Sequence, residues 1–403
     1  MKSIKEIYKI GKGPSSSHTM GPAKACEYML LKNKDADEFI VYLYGSLAHT
    51  GDGHLTKQAI LNVFKGKKIK IICDYKLTDL KHPNTMDIVA LKNNSRIDCK
   101  RIISIGGGDI EIEGENKKSE IDIYNENTLD NIKEKIKEEK IDILEYIYSR
   151  EDNNFKKYLE EVFSVMIYSL ENSLNVRDGI LPGKLSLKRR AREVYENKVE
   201  NENYEKRKVR LLTSYALAVS EANASLGEIV TAPTCGACGV LPSVLYYYFK
   251  EKNKSKDEII NALAIAGLIG NIVKQNASIS GAECGCQAEI GTACSMAASA
   301  VSYLEGGNLI NIENAAKIAM EHNLGLTCDP VLGYVQIPCI ERNAVAAMKA
   351  VDAALLASLY KEKDVLSFDL VVKTMYETGK DLKSGYKETS KAGLAKKYLE
   401  TKK

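Results

Sequence analysis

From Leu211 to Tyr360 the chain is dominated by small residues. Ser214-Tyr-Ala-Leu-Ala-Val-Ser-Glu-Ala-Asn-Ala224 and Ala293-Cys-Ser-Met-Ala-Ala-Ser-Ala300 set Ala, Ser and Cys where a surface helix would carry charge. Small side chains let helices approach closely, and a helix apolar on most sides must be buried. Few segments in this stretch resemble strands. It is predicted to be a compact all-helical core.

The start of the chain reads differently. Glu38-Phe-Ile-Val-Tyr-Leu-Tyr44, Lys68-Ile-Lys-Ile-Ile-Cys73 and Arg101-Ile-Ile-Ser-Ile105 are rich in β-branched and aromatic residues, as strands are. Thr56 to Phe64 is predicted as a helix between the first two. Asp109 to Gly114 alternates as a strand should. The expectation is an α+β domain over residues 1–150 followed by a mainly all-α catalytic domain over 151–403. The composition turns charged from Glu115 to about Lys157, read as a loop and exposed helices joining the domains. Lys188 to Arg210 is read as an exposed helical excursion.

A length of 403 residues is ample for two to three domains and a buried core. The net charge of +3 is too small to argue for nucleic acid. The longest apolar run, Ala262 to Val273, is broken by Asn271 and suits a buried helix better than a membrane span. The first residues are too charged for a secretory signal, so the expected location is cytoplasmic. Ten cysteines in a reducing compartment argue for metal or redox chemistry over disulfides.

Three of those cysteines stand at breaks in regular structure: Cys286 in Gly285-Cys-Gln287, Cys328 in Leu326-Thr-Cys-Asp-Pro330 and Cys339 in Ile337-Pro-Cys-Ile-Glu-Arg342. Thiols so placed can point at a shared centre, hold a soft metal or an iron–sulfur cluster, and leave one position open to a substrate. The competing reading is three buried structural cysteines. The Gly, Pro, Asp329, Glu341 and Arg342 around them favour the metal.

Other motifs carry alternatives. Gly13-Pro-Ser-Ser-Ser-His-Thr19 precedes a predicted helix, Pro22 to Leu31. It can serve as an anion-binding helix start or as a redundant N-cap. Gly45-Ser-Leu-Ala-His-Thr-Gly-Asp-Gly-His54 follows a strand, and His54 is expected to project from a loop as a general acid or base. A loop histidine bonded to its own backbone is the plainer reading, and His49 falls under it. His82-Pro-Asn-Thr-Met86 is a turn before a further strand, with Asn84 able to touch a small ligand. Gly106-Gly-Gly108 reads as a simple turn. Cys235-Gly-Ala-Cys238 is either a zinc half-site, a redox pair, or a glycine loop that brings backbone amides to a ligand.

With these pieces assembled, the chain resembles the iron–sulfur-dependent bacterial L-serine dehydratases (L-serine ammonia-lyases), in their single-chain form. The resemblance covers nearly the whole length. It runs through Gly13 to Pro22, Gly51-Asp-Gly-His54, His82 to Met86, Leu181-Pro-Gly183, Thr231-Ala-Pro-Thr234, Asn276 to Glu283, Gly285-Cys-Gln287, Leu326 to Pro330, Gln336 to Asn343 and Tyr386-Lys-Glu-Thr-Ser390. It implies a 4Fe–4S cluster on Cys286, Cys328 and Cys339 with one iron open to substrate. It implies that His54 and His18 line the site from the first domain; as the catalytic histidines, His54 is expected to be the base and His18 to position substrate or relay a proton. It implies that Ser15, Ser16, Ser17, Thr19, Asn84, Thr234, Cys235 and Gly236 help hold the amino acid. The implied activity is conversion of L-serine to pyruvate and ammonia, in amino-acid degradation and gluconeogenesis. The implied protein is a homo-oligomer with no nucleic-acid or membrane partner.

The chain departs from the family pattern at Cys235 (usually Asn), Asp52 (usually Lys) and Cys284 (usually aliphatic). Its final residues, Glu400 to Lys403, have no cysteine to occupy the open iron, as some relatives' tails do. These departures keep L-threonine and L-cysteine open as substrates. A non-catalytic amino-acid sensor with structural zinc is the alternative from another class. A pyridoxal-phosphate enzyme would need a Schiff-base lysine; no local motif nominates one, and Lys274 near Asn276 stays open.

Overall fold

The computed structural model describes residues 1–77, 79–115, 121–362 and 365–402. The chain forms two compact units: Gly11–Ser119, and Met1–Ile10 together with Glu120–Lys403.

The smaller unit is α+β. Its mixed five-stranded sheet has the order Lys68–Cys73, Glu38–Leu43, Thr85–Lys92, Ser95–Gly106, Asp109–Ile112. The first pair is parallel and the remaining three are antiparallel. A parallel pair needs a crossover, and helix Thr56–Val63 lies between those two strands in sequence. Alternation sorts the faces. Phe39, Val41 and Leu43 join Met86, Ile88, Ala90 and Ile102 in one core, with Ala25, Cys26 and Met29 of helix Gly21–Lys32 and with Ile60 and Phe64. The strand expected after the His82 turn begins inside that motif, at Thr85. The strand expected over 101–105 extends back to Ser95.

The larger unit is helical, as expected for the small-residue stretch. At its centre is Thr292–Leu304, in which every residue except Tyr303 is buried. Helices Lys256–Asn276, Leu309–Glu321, Cys339–Ser358 and Val240–Glu251 pack around it. Its serines do not waste their hydroxyls: Ser295 donates to the Ala316 carbonyl and Ser299 to that of Met296, both at 2.8 Å. All ten cysteines are free thiols. Among the described residues, no helix is long and apolar enough to cross a membrane.

Two segments sit elsewhere than the sequence reading put them. Residues 1–10 and helices Leu129–Glu139 and Ile143–Arg150, assigned by sequence to the first domain, pack within the helical unit. The reason is polar as much as apolar. Asp369 accepts from the backbone N–H groups of Leu129 and Asp130, each at 2.9 Å. Lys133 reaches the buried Glu313 at 2.6 Å. Asn271, the residue that interrupts the long apolar run, donates to the Lys2 carbonyl at 2.8 Å. Tyr8 donates to the Leu263 carbonyl at 2.8 Å. The 188–210 stretch is helical at Ala191–Glu196 and from Tyr204 onward. It is anchored at both ends by buried groups: Glu221 accepts from the N–H of Arg190 at 2.6 Å, and Arg210 forks onto Glu202 at 2.6 and 2.8 Å.

Glu151 fastens the N-terminal residues. It is 9% exposed and accepts from the Ile4 N–H at 2.7 Å, the Ser3 hydroxyl at 2.6 Å and the Tyr124 hydroxyl at 2.8 Å. A Glu151→Ala variant leaves two fully buried donors unanswered, at about 1–3 kcal/mol each. The expected loss of stability is about 3–5 kcal/mol, read by chemical denaturation followed at the helical signal. A loss under about 1 kcal/mol would contradict this account.

Candidate functional site

The predicted site residues fall into two groups, one in each unit. In the smaller unit, Ser15 caps a wide turn, Ser16–Met20, that leads into helix Gly21–Lys32. Its hydroxyl accepts from the His18 N–H at 3.2 Å. Ser15 thus caps the turn, while helix Gly21–Lys32 itself starts at Met20 without a side-chain cap. The turn brings His18 inward, to 3% exposure. Its Nε2 lies 2.8 Å from the Ser46 hydroxyl and its Nδ1 3.0 Å from that of Ser17.

His54 does not project from a loop. Gly45–Thr50 is a helix, and His54 follows it at 1% exposure. Its ring stacks on that of His18 at 4.4 Å. Its Nδ1 is 3.1 Å from the Thr50 carbonyl, which can only accept, so Nδ1 carries the proton and Nε2 of the neutral ring is the basic nitrogen. Two threonines lock the pair in place. Thr19 donates to the His54 carbonyl at 2.7 Å, and Thr56 donates to the His18 carbonyl at 2.6 Å. Ser46 donates its N–H to the Pro83 carbonyl at 2.8 Å, which sets the His82 turn beside the helix start. Asn84 follows, 9% exposed, and its Oδ1 has no hydrogen-bond partner among the described residues. Such an orphaned acceptor marks a place where a ligand donor would be accommodated. Ser16 is buried in the same turn at 8% exposure. His49 is exposed, with its ring against Tyr75.

In the helical unit, the three cysteines come from three elements. Cys286 precedes the wide turn Gln287–Gly291 that opens helix Thr292–Leu304. Cys339 is the first residue of helix Cys339–Ser358. Cys328 lies in an irregular segment held by backbone bonds to the C-terminal region. Its N–H donates to the Tyr386 carbonyl at 2.8 Å, and its carbonyl accepts from the Glu388 N–H at 2.7 Å. All three are buried, at 3%, 9% and 3% exposure for Cys286, Cys339 and Cys328.

Side-chain amides brace these segments. Gln287 donates to the Cys284 carbonyl at 3.0 Å and that of Met375 at 3.1 Å, and accepts from the Gly325 N–H at 2.8 Å. Asn343 donates to the Gly236 and Cys339 carbonyls, both at 2.8 Å, and accepts from the Gly239 N–H at 2.9 Å. The Thr234–Gly236 loop is thereby fixed beside the cysteine helix. Gln336 donates to the Pro182 carbonyl at 2.6 Å, which draws in the Leu181-Pro-Gly183 motif.

A carboxylate that the sequence reading passed over completes this group. Glu289 accepts from the Thr234 hydroxyl at 2.7 Å. One oxygen of Glu289 and the sulfurs of Cys286 and Cys328 all lie within 4.8 Å of one another. Glu289 stands three residues after Cys286 on the same helical turn, which is the signal that would have found it.

The electrostatics follow from burial and proximity. The hydrogen bond with Cys328 holds the Cys286 thiol below its ordinary range, against burial, and Arg342 pulls the same way. The same bond pushes Cys328 up, and burial adds to it. Burial raises Cys339, as does the charge of Cys286. Burial also raises Glu289, together with the charges of Cys286 and Glu388, against the Thr234 bond. Burial disfavours the Arg342 cation, but Cys286 and Cys339 outweigh it. Three thiols and one carboxylate form a donor set that suits a thiolate-bound metal cofactor, with the Arg342 cation beside them to favour the thiolates.

The neighbouring thiols are buried as well. Cys235 and Cys238 flank a tight turn before helix Val240–Glu251, each 1% exposed, and burial raises both thiols. Cys284 is packed against Gly379, where an added Cβ would come within 2.6 Å of the Cys284 Cβ.

Gly281 explains itself in the same way. A Cβ there would lie 2.6 Å from a Glu289 oxygen and 3.1 Å from the Cys328 sulfur. Gly281→Ala is therefore expected to displace both groups. A misplacement of this size costs about 10²-fold in kcat/KM, with the thermal midpoint little changed. Wild-type turnover in the variant would show that this packing is immaterial.

Residues 91–395 match the family described as serine dehydratase alpha chain, and residues 3–78 match serine dehydratase beta chain. The chain is 39% identical to the L-serine dehydratase of Haemophilus influenzae, over 99% of this chain and 100% of that protein. It is 37% identical to L-serine dehydratase 2 of Escherichia coli, over 99% of each. It is likewise 37% identical to the L-serine dehydratase of Streptomyces coelicolor, over 99% of each.

Proposed function

This chain belongs to the serine dehydratase family, and on that premise we propose that it is an L-serine ammonia-lyase whose Cys286, Cys328 and Cys339 hold a 4Fe–4S cluster. The observation that carries the proposal is the thiol group: three buried cysteines on separate elements, two of them with Glu289 in one sphere, beside the guanidinium of Arg342.

Serine must lose a weakly acidic Cα proton and a poor leaving group, hydroxide. Cys286, Cys328 and Cys339 would hold the cluster, which when bound would supply Lewis-acid chemistry toward the hydroxyl oxygen. His54 supplies the base at Nε2. The Thr50 carbonyl fixes the tautomer, and the stack on His18 fixes the ring plane. His18 accepts or returns a proton through Ser46 or Ser17. The hydroxyls of Ser15, Ser16, Ser17 and Thr19, the Asn84 amide and the Thr234-Cys235-Gly236 loop orient the amino acid. The released aminoacrylate tautomerises and hydrolyses to pyruvate and ammonia. The protein is cytoplasmic and acts on a small molecule.

The test is anaerobic reconstitution with iron and sulfide, followed by keto-acid formation from L-serine, L-threonine and L-cysteine in parallel. A brown, air-bleached protein that turns over L-serine fastest is the expected result. A colourless protein without keto-acid formation would rule the proposal out. Preference for L-threonine or L-cysteine would correct the substrate alone.

A further inference from the structure

Arg342 follows Cys339 by three residues on helix Cys339–Ser358, so the two side chains share a face. The guanidinium does not point to solvent. Its side chain is 18% exposed, Nη1 donates to the Thr327 carbonyl at 2.6 Å, and Nη2 is 3.7 Å from a carboxylate oxygen of Asp329. Thr327 and Asp329 are the residues on either side of Cys328. Asp329 is itself held: it accepts from the Leu394 N–H at 2.6 Å and from the Thr327 hydroxyl at 3.2 Å. The backbone of Cys328 is bonded to Tyr386 and Glu388. Those bonds tie Cys328 to the C-terminal segment, and Arg342 ties it to the helix that carries Cys339.

We infer that Arg342 is a positioning residue: from the helical face that bears Cys339 it clamps both neighbours of Cys328, and so holds two thiols of the centre in register. The inference rests on the thiol-centre reading above and adds to it what assembles the centre. A planar fork meets a carbonyl and a carboxylate at once, whereas a lysine ammonium is a point charge on a flexible stem. Residues that orient metal ligands typically contribute about 10–100-fold to metal affinity.

The test uses Cd²⁺ on the full-length chain without iron. Binding is followed by the thiolate charge-transfer band in competition with a chelator, and folding by circular dichroism and the thermal midpoint. Wild type and Glu341→Gln, an exposed neighbour on the same helix, are expected to bind Cd²⁺ equally. Arg342→Lys and Arg342→Gln are expected to bind it about 10–100-fold more weakly while keeping the wild-type fold. Wild-type affinity in Arg342→Lys would overturn the inference and leave the thiol centre standing. Absence of Cd²⁺ binding through the three cysteines in wild type would overturn both. If the Arg342 variants do not fold, Asp329→Asn carries the test, since its amide oxygen still accepts from Leu394. A smaller fall in affinity supports the clamp, and unchanged affinity overturns it.

Discussion

Exchanging Cys328 for serine is expected to lower kcat/KM for L-serine by about 10³-fold or more and to remove most of the bound iron. The magnitude follows from the several kcal/mol that a Lewis-acid metal contributes to a developing anion, at tenfold per about 1.4 kcal/mol. The fold is expected to survive. The bonds that hold position 328 to Tyr386 and Glu388 are backbone bonds, which serine keeps. The matching control is Cys294→Ser. Cys294 is buried in the central helix and donates its thiol proton to the Ala346 carbonyl at 3.4 Å, a bond that a hydroxyl can make. That variant is expected to retain iron and activity. Iron and sulfide content, measured with turnover on the same anaerobic preparations, separates the two. Full activity and full iron in Cys328→Ser would remove Cys328 from the ligand set.

His54→Asn is expected to lower kcat by about 10²–10⁴-fold, the usual contribution of a positioned general base. Asparagine is the informative choice because its amide N–H can take the place of Nδ1–H toward the Thr50 carbonyl, while nothing replaces Nε2. The KM for L-serine should move far less than kcat, since the residue is assigned to the chemical step and not to holding the amino acid. With L-serine deuterated at Cα, the isotope effect on kcat should grow in the variant as proton removal becomes slower than every other step. An unchanged kcat would transfer the base to another group. A rise in KM alone would make His54 a binding residue.

Much of the helical unit was legible because its signal is cumulative. A stretch as poor in charge as Ala293–Ala300 can only be buried, and its small residues allow close helix approach whatever the neighbours are. The strands of the smaller unit were legible for a similar reason, since alternation sorts their faces locally. The boundary at residue 150 was not legible. Leu129–Glu139 and Ile143–Arg150 look exposed from their charge, yet Asp369 and Glu313, distant in sequence, bind one of them to the helical unit. His54 was misjudged in its surroundings for the same reason. Gly51 and Gly53 just before it read as a loop, but the bond that holds it comes from Thr19, and those that hold His18 come from Thr56 and Ser46.

By itself the sequence determined the order of the two kinds of unit, the family, and the three thiols as ligand candidates. Each of these rests on short contiguous patterns in which residue type alone constrains the chemistry. The tertiary structure alone decided that Glu289 joins Cys286 and Cys328, that Nδ1 of His54 is committed to a carbonyl, and that Arg342 grips both sides of Cys328. Those facts depend on which buried donor meets which acceptor across segments remote in the chain, and no local pattern encodes that pairing.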